Sequence, residues 1–159
     1  MRVLGLDPGS RTTGWGFLDG DARVLRAAAW GCFHGRRGTS RSRVLAGLAA
    51  ELEALLGKLE PHVVAIETPF AARLPKAALA LAETLGALLA VLGRWGGLVV
   101  DYEPARVKAA VVGYGRAEKQ QVAFMMSRQL GTTTPPPSDA ADALAVALCH
   151  LRCAVDVLA

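Results

Sequence analysis

The opening stretch of the chain leaves few choices of architecture. Val3-Leu4-Gly5-Leu6 is a short apolar run that stops at Asp7-Pro8-Gly9, which reads as a buried strand followed by a turn. Gly14-Trp15-Gly16-Phe17-Leu18 reads as a second strand, closed by Asp19-Gly20-Asp21. Asp-Gly between two strand-like runs is a hairpin signal, so residues 24–33 form the third strand of an antiparallel meander.

The pattern then changes period. After a polar, Gly- and Arg-rich loop over 34–43, Leu45, Leu48, Leu52, Leu55, Leu56 and Leu59 recur at helical spacing. Ser40 or Ser42 is placed to cap this helix, and Pro61 ends it. Val63-Val64-Ala65-Ile66 is a fourth strand, unbroken by polar residues and therefore central. A helix over about 76–94, a strand at Leu98-Val99-Val100 and helices over 105–112 and 117–130 follow. Pro135-Pro136-Pro137 interrupts the chain, and Ser138 is expected to cap a last helix through about Val155. The order β-β-β-α-β-α-β-α-α-α implies an α/β fold: one five-stranded mixed sheet with helices on both faces.

With 159 residues and no evident linker, the expectation is a single domain over 1–159. A composition 52% hydrophobic and 20% charged argues against extensive disorder. The net charge of +4 suits a polyanionic partner and equally suits an ordinary basic surface. Three cysteines, Cys32, Cys149 and Cys153, argue against a disulfide scaffold. The apolar run around 77–92 is interrupted by Glu83 and Thr84 and is short for a membrane span. A cytoplasmic location is the simplest expectation.

Four acids stand out. Asp7 ends the first strand and Glu67 the fourth, so the two lie side by side if those strands are neighbours. Asp139 and Asp142 are three apart on the last helix and share a face. Each has a plain reading too: Asp7 as a turn residue, Glu67 as a solvated strand end, Asp139 as a helix-start acid. Asp142, amid alanine and leucine, is the least ordinary. Converging carboxylates must take up protons or bind cations, and an oxygen-only set favours Mg²⁺ or Mn²⁺ over zinc. Such ions, in pairs, promote phosphodiester hydrolysis without a covalent nucleophile. Cys149-His150-x-x-Cys153 invites a zinc reading, but no fourth ligand stands out.

Gly5-Leu6-Asp7-Pro8-Gly9-Ser10-Arg11-Thr12-Thr13-Gly14-Trp15-Gly16 resembles the opening of the RuvC family of Holliday-junction resolvases. Ala65-Ile66-Glu67-x-x-Phe70 is similar to that family's second acidic motif. Val107-Lys108-x-x-Val111-Val112-Gly113-x-Gly115-x-Ala117-Glu118-Lys119-x-Gln121-Val122 looks like its basic segment. Asp139-Ala140-Ala141-Asp142-Ala143-Leu144-Ala145 looks like its final acidic helix. These collinear segments cover nearly the whole chain. The resemblance implies a ribonuclease-H-like fold and a homodimer that nicks four-way DNA junctions symmetrically in recombination and repair. It implies catalytic, metal-holding roles for Asp7, Glu67, Asp139 and Asp142, with two Mg²⁺ per subunit, or Mn²⁺. It further implies that Lys108 and Lys119 meet the DNA strand, that Phe70 stacks on unpaired bases, and that a RuvA–RuvB branch-migration complex is a partner.

The chain also departs from the family. Leu81-Ala82-Glu83-Thr84-Leu85-Gly86 stands where many relatives carry Leu-Gly-Gln-Ala-Arg-Gly, Leu74 where Asn is frequent, and Pro69 before Phe70 is unusual. The alternatives are a ribonuclease-H-like nuclease acting on other nucleic acids, or a small actin-like nucleotide-binding domain. The second rests on Asp7-x-Gly9-Ser10, similar to a first phosphate loop, in a chain with no evident second one.

Overall fold

The computed structural model describes residues 1–35, 38–68, 75–132 and 134–156. Five strands, β1 (Arg2–Asp7), β2 (Thr12–Gly20), β3 (Leu25–His34), β4 (Val63–Glu67) and β5 (Leu98–Tyr102), form one sheet in the order β3-β2-β1-β4-β5. β1–β2 and β2–β3 pair antiparallel; β1–β4 and β4–β5 pair parallel. Helices α1 (Arg41–Leu59) and α2 (Pro75–Trp95) supply the crossovers between the parallel strands. They are followed by α3 (Pro104–Val112), α4 (Lys119–Leu130) and α5 (Ser138–Asp156).

Strand alternation sorts the core into two layers. Leu4, Leu6, Phe17, Val64 and Ile66 join Leu48, Leu52, Leu55 and Leu56 of α1 and Leu88, Val91 and Leu92 of α2. Val3, Leu18 and Ala65 point the other way, toward Leu144 and Leu148 of α5, Val107 and Val111 of α3, and Val122 and Met126 of α4. Each fully buried leucine or isoleucine contributes roughly 1.5–3 kcal/mol. α2 is long and apolar enough by composition to cross a bilayer, yet Leu88, Val91 and Leu92 are buried against α1 and the sheet. Leu79 and Leu89 on the same helix stay exposed.

α5 lies unusually close to the sheet, for a reason visible in composition. A Cβ on Gly14 would land on the backbone carbonyl of Asp139, and one on Gly5 on that of Ala143. Facing these glycines, α5 presents buried Ala140, Ala143 and Ala147. Small residues on both sides let the helix axis approach the strands directly. Farther along, Tyr102 Oη and His150 Nδ1 meet at 2.9 Å in the buried seam between β5 and α5.

Three local expectations need correction. Asp19 and Gly20 are not the hairpin turn; they lie within β2, at a register shift. Asp21 makes the turn, its Oδ1 accepting from the backbone N–H groups of Arg23 and Val24 at 2.9 Å each. A carboxylate that mimics a backbone turn displaces the Asp-Gly signal. α4 starts at Lys119 rather than Ala117, because Gln121 Oε1 accepts from the Glu118 N–H and fixes the N-terminus there. Ser138 opens α5 rather than capping it from outside; the Pro137 carbonyl accepts from the Ala141 N–H at 2.8 Å. At α1 the cap is Ser40, whose Oγ accepts from the Arg43 N–H.

Candidate active site

The sheet register brings the acids together. Leu6 pairs with Ile66 in the parallel β1–β4 ladder, so Asp7 and Glu67, the next residues of each strand, emerge from adjacent strand ends. Adjacent strands lie about 4.8 Å apart. Alternation turns both side chains to the face that α5 covers. There α5 delivers Asp142, and the three carboxylates line one cleft with Lys108, Lys119, Val107 and Val122. The cleft is small, about 70 Å³, whereas two hollows of about 670 Å³ lie elsewhere on the surface. A groove that admits one phosphate of a polymer needs no enclosed pocket, so size does not select the chemistry here.

The electrostatics are those of acids forced together. Burial, then the neighbouring charges of Glu67 and Asp142, raise the Asp7 carboxyl from the usual 3.8 to about 7. Burial and Asp142 also raise Glu67, against the pull of Lys119 and Lys108. Lys119 Nζ donates to Asp142 Oδ2 at 2.8 Å, and that bond holds the lysine's pKa above its ordinary value. Among the described residues no three His, Cys, Asp or Glu side chains are drawn into a tight metal-ligating group, with Lys119 meeting Asp142 in its place. The donor set is oxygen-only and strongly anionic, and it disfavours its own ionisation. Those properties fit a hard divalent cation.

Asp139 stands apart from this cleft's lining. It sits nearer the start of α5, its backbone over Gly14, and is half-buried. Its charge reaches both Asp7, weakly, and the Cys32 thiol, whose pKa is raised by burial and then by Asp139. Cys32 pairs with Gly14, which pairs with Asp7, so one register row crosses three strands beneath the site. Sequence reading did not single out Cys32 for this neighbourhood; alternation along β3 would have found it only once the register was known. Lys108 and Lys119 both line the cleft. Phe70, with Pro69 and Leu74, lies outside the described residues.

Arg41 is the other residue whose role was not legible. Its Nε donates to Glu83 Oε2 at 2.6 Å, and its terminal nitrogens reach the carbonyls of Ala80 and Ser10 and the Thr84 hydroxyl. One side chain thus ties α1 to α2 and to the turn that follows Asp7. Glu83 and Thr84, part of the departure noted in the sequence, are its partners.

A three-stranded meander continued by parallel strands, with acids at the ends of the two central parallel strands and on the crossing helix, defines a ribonuclease-H-like nuclease fold. Residues 3–150 match the family described as "Crossover junction endodeoxyribonuclease RuvC". The protein of that name from Syntrophomonas wolfei is 42% identical over 153 residues, covering 96% of this chain and 89% of its own. The Thermus thermophilus RuvC structure superposes with a TM-score of 0.86 at 32% identity, over 99% of this chain and 97% of that one. T. thermophilus RuvC in complex with a Holliday junction substrate gives a TM-score of 0.90 at 33% identity, over 97% and 94%. The chain belongs to the RuvC family.

Proposed function

We propose that this protein is a metal-dependent endodeoxyribonuclease that resolves four-way DNA junctions by paired, symmetric nicks in recombination and repair. The observation that carries this reading is the single narrow cleft in which Asp7, Glu67 and Asp142 meet Lys108 and Lys119. The relatives' printed names and the junction-bound relative support it.

Asp7, Glu67 and Asp142, with Asp139 alongside, would hold divalent cations, Mg²⁺ or Mn²⁺, two per subunit. When bound, such ions supply Lewis acidity and a water of lowered pKa. The chain's own residues do the rest. Asp7 releases to solvent the proton that its surroundings favour, which leaves its carboxylate able to act as a ligand. Lys108 and Lys119 offset carboxylate charge, which lets a phosphodiester enter an otherwise anionic cleft. Val107 and Val122 wall the cleft and limit water beside the carboxylates. Phe70 is assigned to stack on an unpaired base near the crossover.

Paired nicks need two such clefts, and the exposed Leu79 and Leu89 of α2 support a homodimer. We assign the chain one nuclease domain, a cytoplasmic place of action and a RuvA–RuvB branch-migration complex as partner. The test is cleavage of a labelled four-way junction beside linear duplex of the same sequence, with Mg²⁺, Mn²⁺ or chelator. Symmetric, metal-dependent nicks in the junction alone are expected. Cutting of duplex or RNA instead would overturn the substrate assignment while leaving the metal chemistry.

A further inference from the structure

The turn after Asp7 leads from the acidic cleft into a second, differently charged region. Ser10, Arg11 and Thr12 form one wall of a hollow of about 670 Å³. His34 and Gly35 at the end of β3, and Arg41 and Val44 in the first turn of α1, form the other. A neighbouring hollow of about 290 Å³ shares His34 and Val44 and is edged by Arg43.

The cations here divide into two kinds. Arg41 is spent on Glu83 and on backbone carbonyls, as described above. Arg11 and Arg43 are exposed, and among the described residues neither side chain makes an ion pair. His34 has its Nδ1 3.4 Å from Thr12 Oγ1, which leaves Nε2 as the ring atom for a ligand. Among the described residues lining the two hollows, the one acid is Glu51, in the smaller hollow. The first turn of α1 carries no acid, so its N-terminal dipole adds to the positive field.

We propose that Arg11, His34 and Arg43 form a second phosphodiester-binding site, gripping phosphates of the strand cut at the acidic cleft, on the order of three nucleotides from the point of cleavage. This rests on the function proposed above. The ligand class follows from geometry. The hollow is open and its arginines are solvated, so a lone phosphate ion would be held weakly against salt. A polymer anchored at the cleft presents its next phosphates at high effective concentration, and the second contact becomes intramolecular. The spacing suits it. Thr12 and His34 pair two residues beyond the Asp7–Gly14–Cys32 row. Two strand residues and one or two strand spacings amount to about 8–12 Å, on the order of three nucleotides of one strand at about 3.4 Å each.

The test uses the full chain and a labelled four-way junction, with binding measured in chelator over a range of salt and cleavage measured at saturating junction. R11Q/R43Q is expected to weaken binding roughly tenfold or more and to lower the log–log salt slope by about 1.8, at about 0.9 per phosphate lost. Cleavage at saturation should stay within about twofold, since neither residue lines the acidic cleft. R23Q, an exposed charge on the β2–β3 turn, should change little. Unchanged affinity and slope in R11Q/R43Q, in a wild type that binds and cuts, overturns the proposal alone. So does an R11Q effect no larger than that of R23Q. A wild type that neither binds nor cuts the junction overturns the functional reading beneath it. Thermal melts of the variants should match wild type, because both side chains are exposed.

Discussion

The two faces of the sheet solve different problems. Beneath α1 and α2, large side chains fill the space: Leu48, Leu52, Leu55, Leu56, Leu88 and Leu92 against Leu4, Leu6, Phe17 and Ile66. Beneath α5, the space is removed rather than filled, with Gly5 and Gly14 under Ala140 and Ala143. A layer of leucines can relax around a lost methyl. A helix seated on glycine cannot move outward without carrying Asp142 away from Asp7 and Glu67. Both faces hold a buried core, but the α5 face alone also stores position.

The sharpest break is chemical. Asp7→Asn should reduce junction cleavage by about three orders of magnitude or more, as loss of a principal charge-stabilising group does. It should at the same time raise the melting temperature of metal-free protein above pH 7, since it removes a carboxylate that burial and neighbours oppose. Rate assays and thermal melts on one preparation read both; a fall in both would count against the cleft as drawn.

The next pair separates the faces directly. Leu52→Ala should cost about 2–5 kcal/mol of stability, with the cleavage rate per folded molecule nearly unchanged. Gly14→Ala forces the Asp139 carbonyl to shift; overpacking costs about 1–3 kcal/mol, with a cleavage loss of tenfold or more at temperatures where the protein is fully folded. Denaturant titration beside single-turnover cleavage tests the contrast. If both variants lose activity only in proportion to unfolding, the division of labour is wrong.

Lys119→Gln should act more gently. It removes the donor to Asp142 and one phosphate contact, so the salt slope of junction binding should fall by about 0.9, with a reduced cleavage rate. The mildest test is pH. Below about pH 4 Asp7 keeps its proton folded or unfolded, and its burial carries no ionic penalty. Between there and about pH 7 the unfolded chain releases the proton while the folded one retains it, so stability falls as pH rises. Above about 7 both forms are ionised and the full penalty is present. Metal-free melts should show that decline, and added Mg²⁺, which needs the ionised carboxylate, should oppose it increasingly with pH.

Much of this was legible beforehand because period and punctuation were clear. The β1 run ending at Asp7, the leucine spacing of α1 and the Glu67 strand end each stand where the sequence pattern puts them. What remained hidden was whatever depends on distant partners. Asp19-Gly20 gave the right hairpin but the wrong turn, since Asp21 reaches two backbone N–H groups only once the strands have paired. The arginine-rich loop read as one basic unit, yet Glu83, forty-two residues away, withdraws Arg41 from it. Asp139 and Asp142 shared a face by spacing, but the close seat of α5 on Gly14 distributes them, with only Asp142 lining the lysine-bearing cleft.

The seat of α5 on its glycines also governs how the site can be lost or redesigned. An α-helix turns about 100° per residue, so inserting or deleting one residue between Asp142 and the buried Leu148 would swing Asp142 out of the cleft in a single step. Contact with the strand backbones at Gly5 and Gly14 leaves no intermediate setting. The machine meshes like a toothed gear rather than sliding like a clamp, and libraries that insert residues within α5 just after Asp142 should find active members only near whole-turn intervals.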